Sequence, residues 1–318
     1  CHITHQIVAS NAQALAAAAE RAEALGLPVH RHAQFVKGEA AAVGEVLARV
    51  ARDAGHDVWT VTRGQKPVVE GVTSLIADRK DPEAFAEAIE GAGVAWDLAV
   101  DSIGYQAPDA QQDVEVLSPR VGHLVFISTD FVFDPLKRAF PQPFDNPHFL
   151  KGEGYGPGKR ACEEVLLGAD TGDMRWTVLR PCHIYGPGSQ LGCLPEHGRD
   201  PKLIERMRAG EALRLVGGGH FLQQPIFVRD LAELALSAHG CDLADRAIYC
   251  SVGPDIIESV RYYEIIAEIL GVELRVEEVP VAQTRAEHPE WQSFLCHRIY
   301  DLTPLRLAGL KVPNTPIG

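Results

Sequence analysis

No two of this chain's seven cysteines form a CxxC pair; they stand at positions 1, 162, 182, 193, 241, 250 and 296. An odd, scattered set gives neither a disulfide framework nor a zinc ribbon, so reduced thiols in a cytoplasmic protein are the expectation. No run reaches the roughly 18 apolar residues of a membrane span. Basic residues are also scarce, 30 Lys and Arg against 43 Asp and Glu, for a formal net charge of -13. Phosphate backbones and anionic bilayers are held by cationic surfaces, so nucleic acid and membrane are disfavoured partners. The 13 histidines show no metal-site spacing. Repeats, low-complexity tracts and heptads are absent as well. The opening Cys1-His2-Ile3-Thr4-His5 is neither a signal peptide nor a natural initiation, so the numbering is expected to begin inside a longer chain.

What is present is ordinary globular material, 46% hydrophobic and 23% charged. Gln6–Ala9 is a short apolar run, and Ser10 and Asn11 can cap a helix from Ala12 to about Leu25, ended by Gly26 and Pro28. Val29–Val36 can be a strand, although His30, Arg31, His32 and Gln34 make it polar for the centre of a parallel sheet. A helix is predicted from about Glu39 to Ala54. Strands then fall at Asp57–Thr62, Leu75–Ala77, Leu98–Asp101, His123–Ser128 and Trp176–Leu179, with helices at Asp81–Glu90 and Gly158–Leu167. Such alternation implies right-handed crossovers and a doubly wound α/β sheet. Beyond Pro187 the spacing loosens into Gly and Pro, as a smaller lobe would show. The expected division is 1–54, then 55–186, then 187–318 with elements returning to the sheet.

Three segments carry chemistry. Phe126 to Phe133 is a buried strand ending in Ser128 and Thr129. Tyr155-Gly156-Pro157-Gly158-Lys159 has YxxxK spacing, and Arg180-Pro181-Cys182-His183-Ile184-Tyr185-Gly186-Pro187-Gly188 follows a further strand. A phenol, with a pKa of about 10, is a poor acid or base at neutral pH. Residues i and i+4 of a helix share a face, so Lys159 can set its ammonium near the Tyr155 phenolate and lower its pKa. A hydroxyl at a strand end can orient a substrate oxygen. YxxxK alone recurs by chance; the order of the three segments gives it weight.

From about Gly55 to Gly318 these motifs resemble the extended short-chain dehydrogenase/reductases, the class of nucleotide-sugar epimerases, dehydratases and related reductases. The resemblance implies an α/β, Rossmann-like, doubly wound parallel sheet with a smaller C-terminal substrate lobe. It implies Tyr155 as acid/base, Lys159 as its partner and ribose ligand, and Thr129 as the hydroxyl, with Ser128 beside it. Hydride would move to or from nicotinamide C4, with the Pro181–Ile184 backbone, including His183, facing the ring. Asp78 takes the place that meets adenine. Arg63, after the second strand, suits a 2′-phosphate, so NADP is favoured over NAD. The segment from Gln224 to Asp230 matches a family segment of structural role. A small-molecule substrate, a sugar or nucleotide-sugar, and a homodimer are further implications. His197, Arg199, His220, His297 and Arg298 are candidate substrate contacts in the second lobe.

One motif departs from the family. The glycine-rich loop falls on Gly38-Glu39-Ala40-Ala41-Ala42-Val43-Gly44, where Ala41 replaces the middle glycine. A Cβ there crowds a pyrophosphate, and Glu39 adds a like charge, so cofactor binding is expected to suffer. Residues 5–54, with Ile7-Val8-Ala9-Ser10-Asn11 and Gly38-Glu39-Ala40, resemble a fragment of class II glycerate 2-kinase. The combined reading is a composite, with a kinase-like βαβα piece in place of the first βα unit. Two other functions compete with the enzyme: a fold-only scaffold without cofactor, and an RNA-interacting relative, against which the acidic charge argues.

Overall fold

The computed structural model describes residues 32–36 and 41–318. The expected strand at Gln6–Ala9 and helix at Ala12–Leu25 lie outside the described residues, as do Gly38 and Glu39.

Strand β1 (His32–Val36) leads to helix α1 (Ala41–Asp53), then β2 (Asp57–Thr62) and β3 (Thr73–Ile76). Helix α2 (Pro82–Gly91) and β4 (Trp96–Asp101) follow, then α3 (Ala107–Leu117) and β5 (Val121–Ile127). Helix α4 (Tyr155–Gly168), β6 (Arg175–Pro181), α5 (Val228–Ser237) and β7 (Ala247–Ser251) complete the main layers. Local chemistry explains several boundaries. Asp81 caps α2, its carboxylate accepting from Ala84 N at 3.1 Å, with Pro82 preset for the first turn. Asp109 in the first turn of α3 accepts from Gln106 N at 3.0 Å and Tyr105 N at 2.7 Å, which fixes the chain entering that helix.

The strands form one seven-stranded sheet in the order β7-β6-β5-β4-β1-β2-β3, and all its pairings are parallel. β1 is central, pairing Ala33 with Leu98 on one side and Val58 on the other. Its polar letters do not prevent this, because the backbone ladders on both sides satisfy the main chain whatever the side chains are. The order reverses between β1 and β4, which opens a crevice at the carboxyl ends of those strands.

Alternation along the strands feeds two cores. Leu98, Val100, Val125 and Ile127 face Leu47 and Ala51 of α1 and Leu231 and Ala235 of α5. Trp96, Ala99, Leu124 and Phe126 face Phe85, Ala110, Leu117 and Leu166 of the opposite layer. A third apolar cluster joins Leu203, Met207, Leu213, Leu215, Tyr262 and Tyr263, beyond the sheet. Among the described residues, no helix is long and apolar enough to cross a membrane.

Candidate active site

β5 ends at Ile127, and the hydroxyl residues follow at the carboxyl edge of the sheet. Thr129 starts a 3-10 turn at Asp130–Val132 and accepts from Phe131 N at 3.3 Å. Tyr155 opens α4, with its ring 6.4 Å from that of Phe131 and 6.2 Å from that of Tyr105. The helix lies close because Gly156 and Gly158 carry no side chain: a Cβ at either would collide with the backbone oxygen of Phe131 or Tyr105. Thr129, at the start of the Asp130–Val132 turn, and Tyr155, at the start of α4, are thereby brought together at the sheet edge. Tyr155 is half-exposed as a residue. Loss of hydration first, and Tyr105 second, push the phenol up to about 12, against the opposing pull of Thr129 and Arg199.

Lys159 departs from the expected pairing with the phenol. Its ammonium turns beneath the helix, donates to Ile127 O at 2.7 Å, and sits 4.9 Å from the ring centres of both Tyr105 and Phe126. Immediate partners explain the choice: a carbonyl, two aromatic faces, and the Asp101 charge. Burial lowers the Lys159 pKa, opposed chiefly by Asp101. Behind it lies a buried ionic cluster that the sequence reading missed. Arg79 donates to Asp101 at 2.7 Å and to Asp113 at 2.9 Å. Burial and then the Asp101 charge hold the Asp113 carboxyl well above its usual range, whereas Arg79 holds Asp101 below its own despite burial.

Ser128 is not free for a ligand. Its hydroxyl donates to Glu163 at 2.6 Å, and Glu163 also accepts from Arg180 at 2.8 and 2.7 Å and from Arg160 at 2.9 Å. A wholly buried carboxylate needs such partners. Pro181 ends β6, paired with Ser251 of β7. The His183 carbonyl accepts from Ile226 N at 2.8 Å, so it too belongs to the fold. The His183 ring is different. Its Nε2 is buried with no hydrogen-bond partner among the described residues, and its edge meets Tyr262 at 5.2 Å. Burial, with Arg298 and Arg199 beyond it, brings its pKa down to about 3 and keeps the imidazole neutral.

At the other end of the edge, Asp78 follows β3, half-buried, and accepts from Lys80 N at 3.0 Å. Arg63 follows β2 and is exposed, without a side-chain partner among the described residues. Ala41 is the first residue of α1, and Gly44 is buried in its first turn. The described residues fit a dinucleotide at both ends of the edge, with the unpartnered His183 Nε2 and Tyr155 at one and Asp78 and Arg63 at the other. The segment 37–40 between them lies outside the described residues.

A doubly wound sheet of this order, with Tyr and Lys opening a helix at its carboxyl edge, defines the extended short-chain dehydrogenase/reductase type of fold. The chain belongs to the NAD dependent epimerase/dehydratase family, which matches residues 35–244. That match takes in the end of β1 and all of α1. In sequence the chain is 24% identical over 230 residues to the "Chloroplast stem-loop binding protein of 41 kDa b, chloroplastic" of Arabidopsis thaliana, covering 68% of this chain. It spans only 57% of that relative. It is 26% identical over 265 residues to the "2-alkyl-3-oxoalkanoate reductase" of Stenotrophomonas maltophilia, covering 74% of each. Its backbone is similar to that of the Thermus thermophilus UDP-glucose 4-epimerase solved in complex with NAD, at a TM-score of 0.67 and 18% identity. That likeness covers 87% of this chain and 93% of the other.

Proposed function

We propose that the protein is an NAD(P)-dependent oxidoreductase that reduces a carbonyl group, or oxidises the corresponding secondary alcohol, at the Tyr155–Thr129 edge. One observation carries the reading: a tyrosine at the start of a helix lies against the strand-end Thr129–Phe131 turn, at the carboxyl edge of a parallel sheet whose order reverses. A reduced nicotinamide, when bound, would supply the hydride for the new C–H bond. The chain's residues do the rest. A phenol at about 12 is protonated at neutral pH, so Tyr155 stands ready as an acid. It gives its proton to the carbonyl oxygen, which becomes the alcohol hydroxyl, and is reprotonated from solvent. Thr129 orients that oxygen through its own hydroxyl. Lys159, one helical turn on, is the residue that would meet the nicotinamide ribose. Asp78 would meet the adenine, and Arg63 favours NADP over NAD.

The reductase of Stenotrophomonas maltophilia supports carbonyl reduction as the reaction class. Sugar-nucleotide epimerisation and a fold-only scaffold are the rival outcomes. RNA binding, which the chloroplast relative's name evokes, runs against a net charge of -13. The composite reading of residues 5–54 bears on affinity alone, through Ala41. Titration of NADPH and NADH, followed by ligand fluorescence, tests the proposal. Saturable binding with NADPH the tighter, and NADPH consumption with a ketone panel, are the expected results. If neither nucleotide binds, the scaffold reading replaces this one.

A further inference from the structure

β4 ends at Asp101 beside β1, where the strand order reverses, and α3 begins at Ala107. The loop between them presents four consecutive amides, and each is taken by a carboxylate. Asp101 Oδ1 accepts from Ile103 N at 2.7 Å and from Gly104 N at 2.9 Å. Asp109 Oδ2 accepts from Tyr105 N at 2.7 Å and from Gln106 N at 3.0 Å. One guanidinium ties the two acids together. Arg79 donates through Nη1 to Asp101 Oδ2 at 2.7 Å, and through Nη2 to Asp109 O at 2.8 Å and Asp113 Oδ1 at 2.9 Å. Its own carbonyl accepts from Gln112 Nε2 at 3.0 Å.

Stability alone does not account for this cluster. A buried cation shared among carboxylates rarely outdoes apolar packing of the same volume, because desolvating the charges takes back what their attraction gives. Nor is the cation fully matched: Arg79 Nε has no hydrogen-bond partner among the described residues, with Asp109 Oδ1 at 3.8 Å. What the cluster does fix is the path of the loop. Gly104 follows that path only because it has no side chain, since a Cβ would stand 2.6 Å from Asp101 Oδ2 and 2.7 Å from Phe126 Cε2. Tyr105 comes next and is carried onto α4. Its carbonyl oxygen lies 2.5 Å from where a Cβ of Gly158 would stand. Its ring centre is 4.9 Å from Lys159 Nζ and 6.2 Å from the centre of the Tyr155 ring.

Resting on the reading of Tyr155 as proton donor, we propose that Arg79 is a positioning residue for the Tyr155–Lys159 pair: through Asp101 and Asp109 it locks the 103–106 loop, and the loop seats Tyr105 against both. Tyr105 is the side chain that transmits the effect. A planar fork is what the task needs, because three acceptors on β4 and α3 are met at once by two terminal nitrogens. A lysine ammonium in its place would keep one ion pair and lose the bracing between the two carboxylates.

Steady-state kinetics with NADPH and the best ketone of a panel test this. Arg79→Gln should lower kcat by about 10- to 100-fold and leave the ketone KM within about threefold, because it displaces reacting groups rather than a binding surface. Tyr105→Ala should cost a similar factor, and Tyr105→Phe, which keeps the ring, should recover most of it. The double variant Arg79→Gln/Tyr105→Ala should be no slower than about threefold below the slower single variant, since both break one link. Losses that multiply in the double variant would overturn the proposal. Asp109→Ala frees the Tyr105 and Gln106 amides at the less buried end of the loop; it should lower kcat by about three- to tenfold, and it stands in for Arg79→Gln if that variant does not fold. Acetic anhydride labelling of Lys159, read by peptide mass spectrometry, needs no turnover. Lys159 is 1% exposed, and it should label about tenfold faster in Tyr105→Ala and Asp109→Ala than in the unaltered chain. Faster labelling without turnover of any ketone upholds the seating of Lys159 by Tyr105 and removes the reductase reading instead. Labelling that does not change in either variant removes the positioning role, whatever the turnover.

Discussion

Behind the Tyr155 and Thr129 hydroxyls at the β5–β6 end of the sheet, polar groups are matched to partners. Ser128, Arg160 and Arg180 converge on Glu163, and Lys159 is turned into a carbonyl and two aromatic faces. At the β1–β2 end of the same edge, Arg63 stands exposed, Asp78 accepts from Lys80 N in its own turn, and α1 begins at Ala41. The contrast separates two requirements that usually occur together. A proton donor works only if its surroundings fix its position and hydration before the ligand arrives. A phosphate cradle needs little more than open backbone amides at a helix start, and one Cβ can spoil it.

Three substitutions probe this contrast, in falling order of expected effect. Tyr155→Phe keeps the ring and removes the proton. Turnover of the best ketone should fall by about two orders of magnitude or more, roughly 2.7 kcal/mol of barrier, with NADPH affinity within twofold. Full activity in steady-state assays of this variant would remove Tyr155 from the chemistry. Ser128→Ala should cost about 1–2 kcal/mol of stability in urea unfolding, because a buried carboxylate loses one of its donors. It should leave NADPH affinity unchanged; a tenfold loss of affinity would return Ser128 to the cofactor site. Ala41→Gly should tighten NADPH binding several-fold, about 1 kcal/mol, in a fluorescence titration. No change there would mean that the phosphates take another path past α1.

Period and motif made much of this legible. The alternation of strands and helices after Gly55 gave the parallel sheet, and the β-branched run Asp57–Thr62 its second strand. β1 was the doubtful strand, because periodicity judges side chains while a central strand is held first by its ladders. Tyr155 and Thr129 stand out as candidates because helix spacing and a strand end are local facts, and the fold sets both at one sheet edge. Lys159 lies one turn from Tyr155, but its ammonium meets Ile127 O, since i and i+4 spacing does not tell which neighbours reach an ammonium first. Ser128 beside Thr129 looked equally suited to a ligand; only the long-range approach of Glu163 distinguishes them. The Arg79–Asp101–Asp113 cluster joins residues 22 and 34 positions apart, and no local pattern announces it.

The bare backbone at the start of α4 has a consequence for any effort to make this protein tougher. Replacing glycine with alanine inside helices is a standard way to raise thermal resistance, worth about 0.4–1 kcal/mol where the new methyl fits. Here the two glycines that flank Pro157 lie against main-chain oxygens, so a methyl at either would lever the helix, and Tyr155 with it, off the sheet edge. The far end of the same helix is open, since nothing lies within 4 Å of a Cβ at Gly168. Stabilisation of this helix therefore has a direction: it is available at the far end and forbidden beside Tyr155.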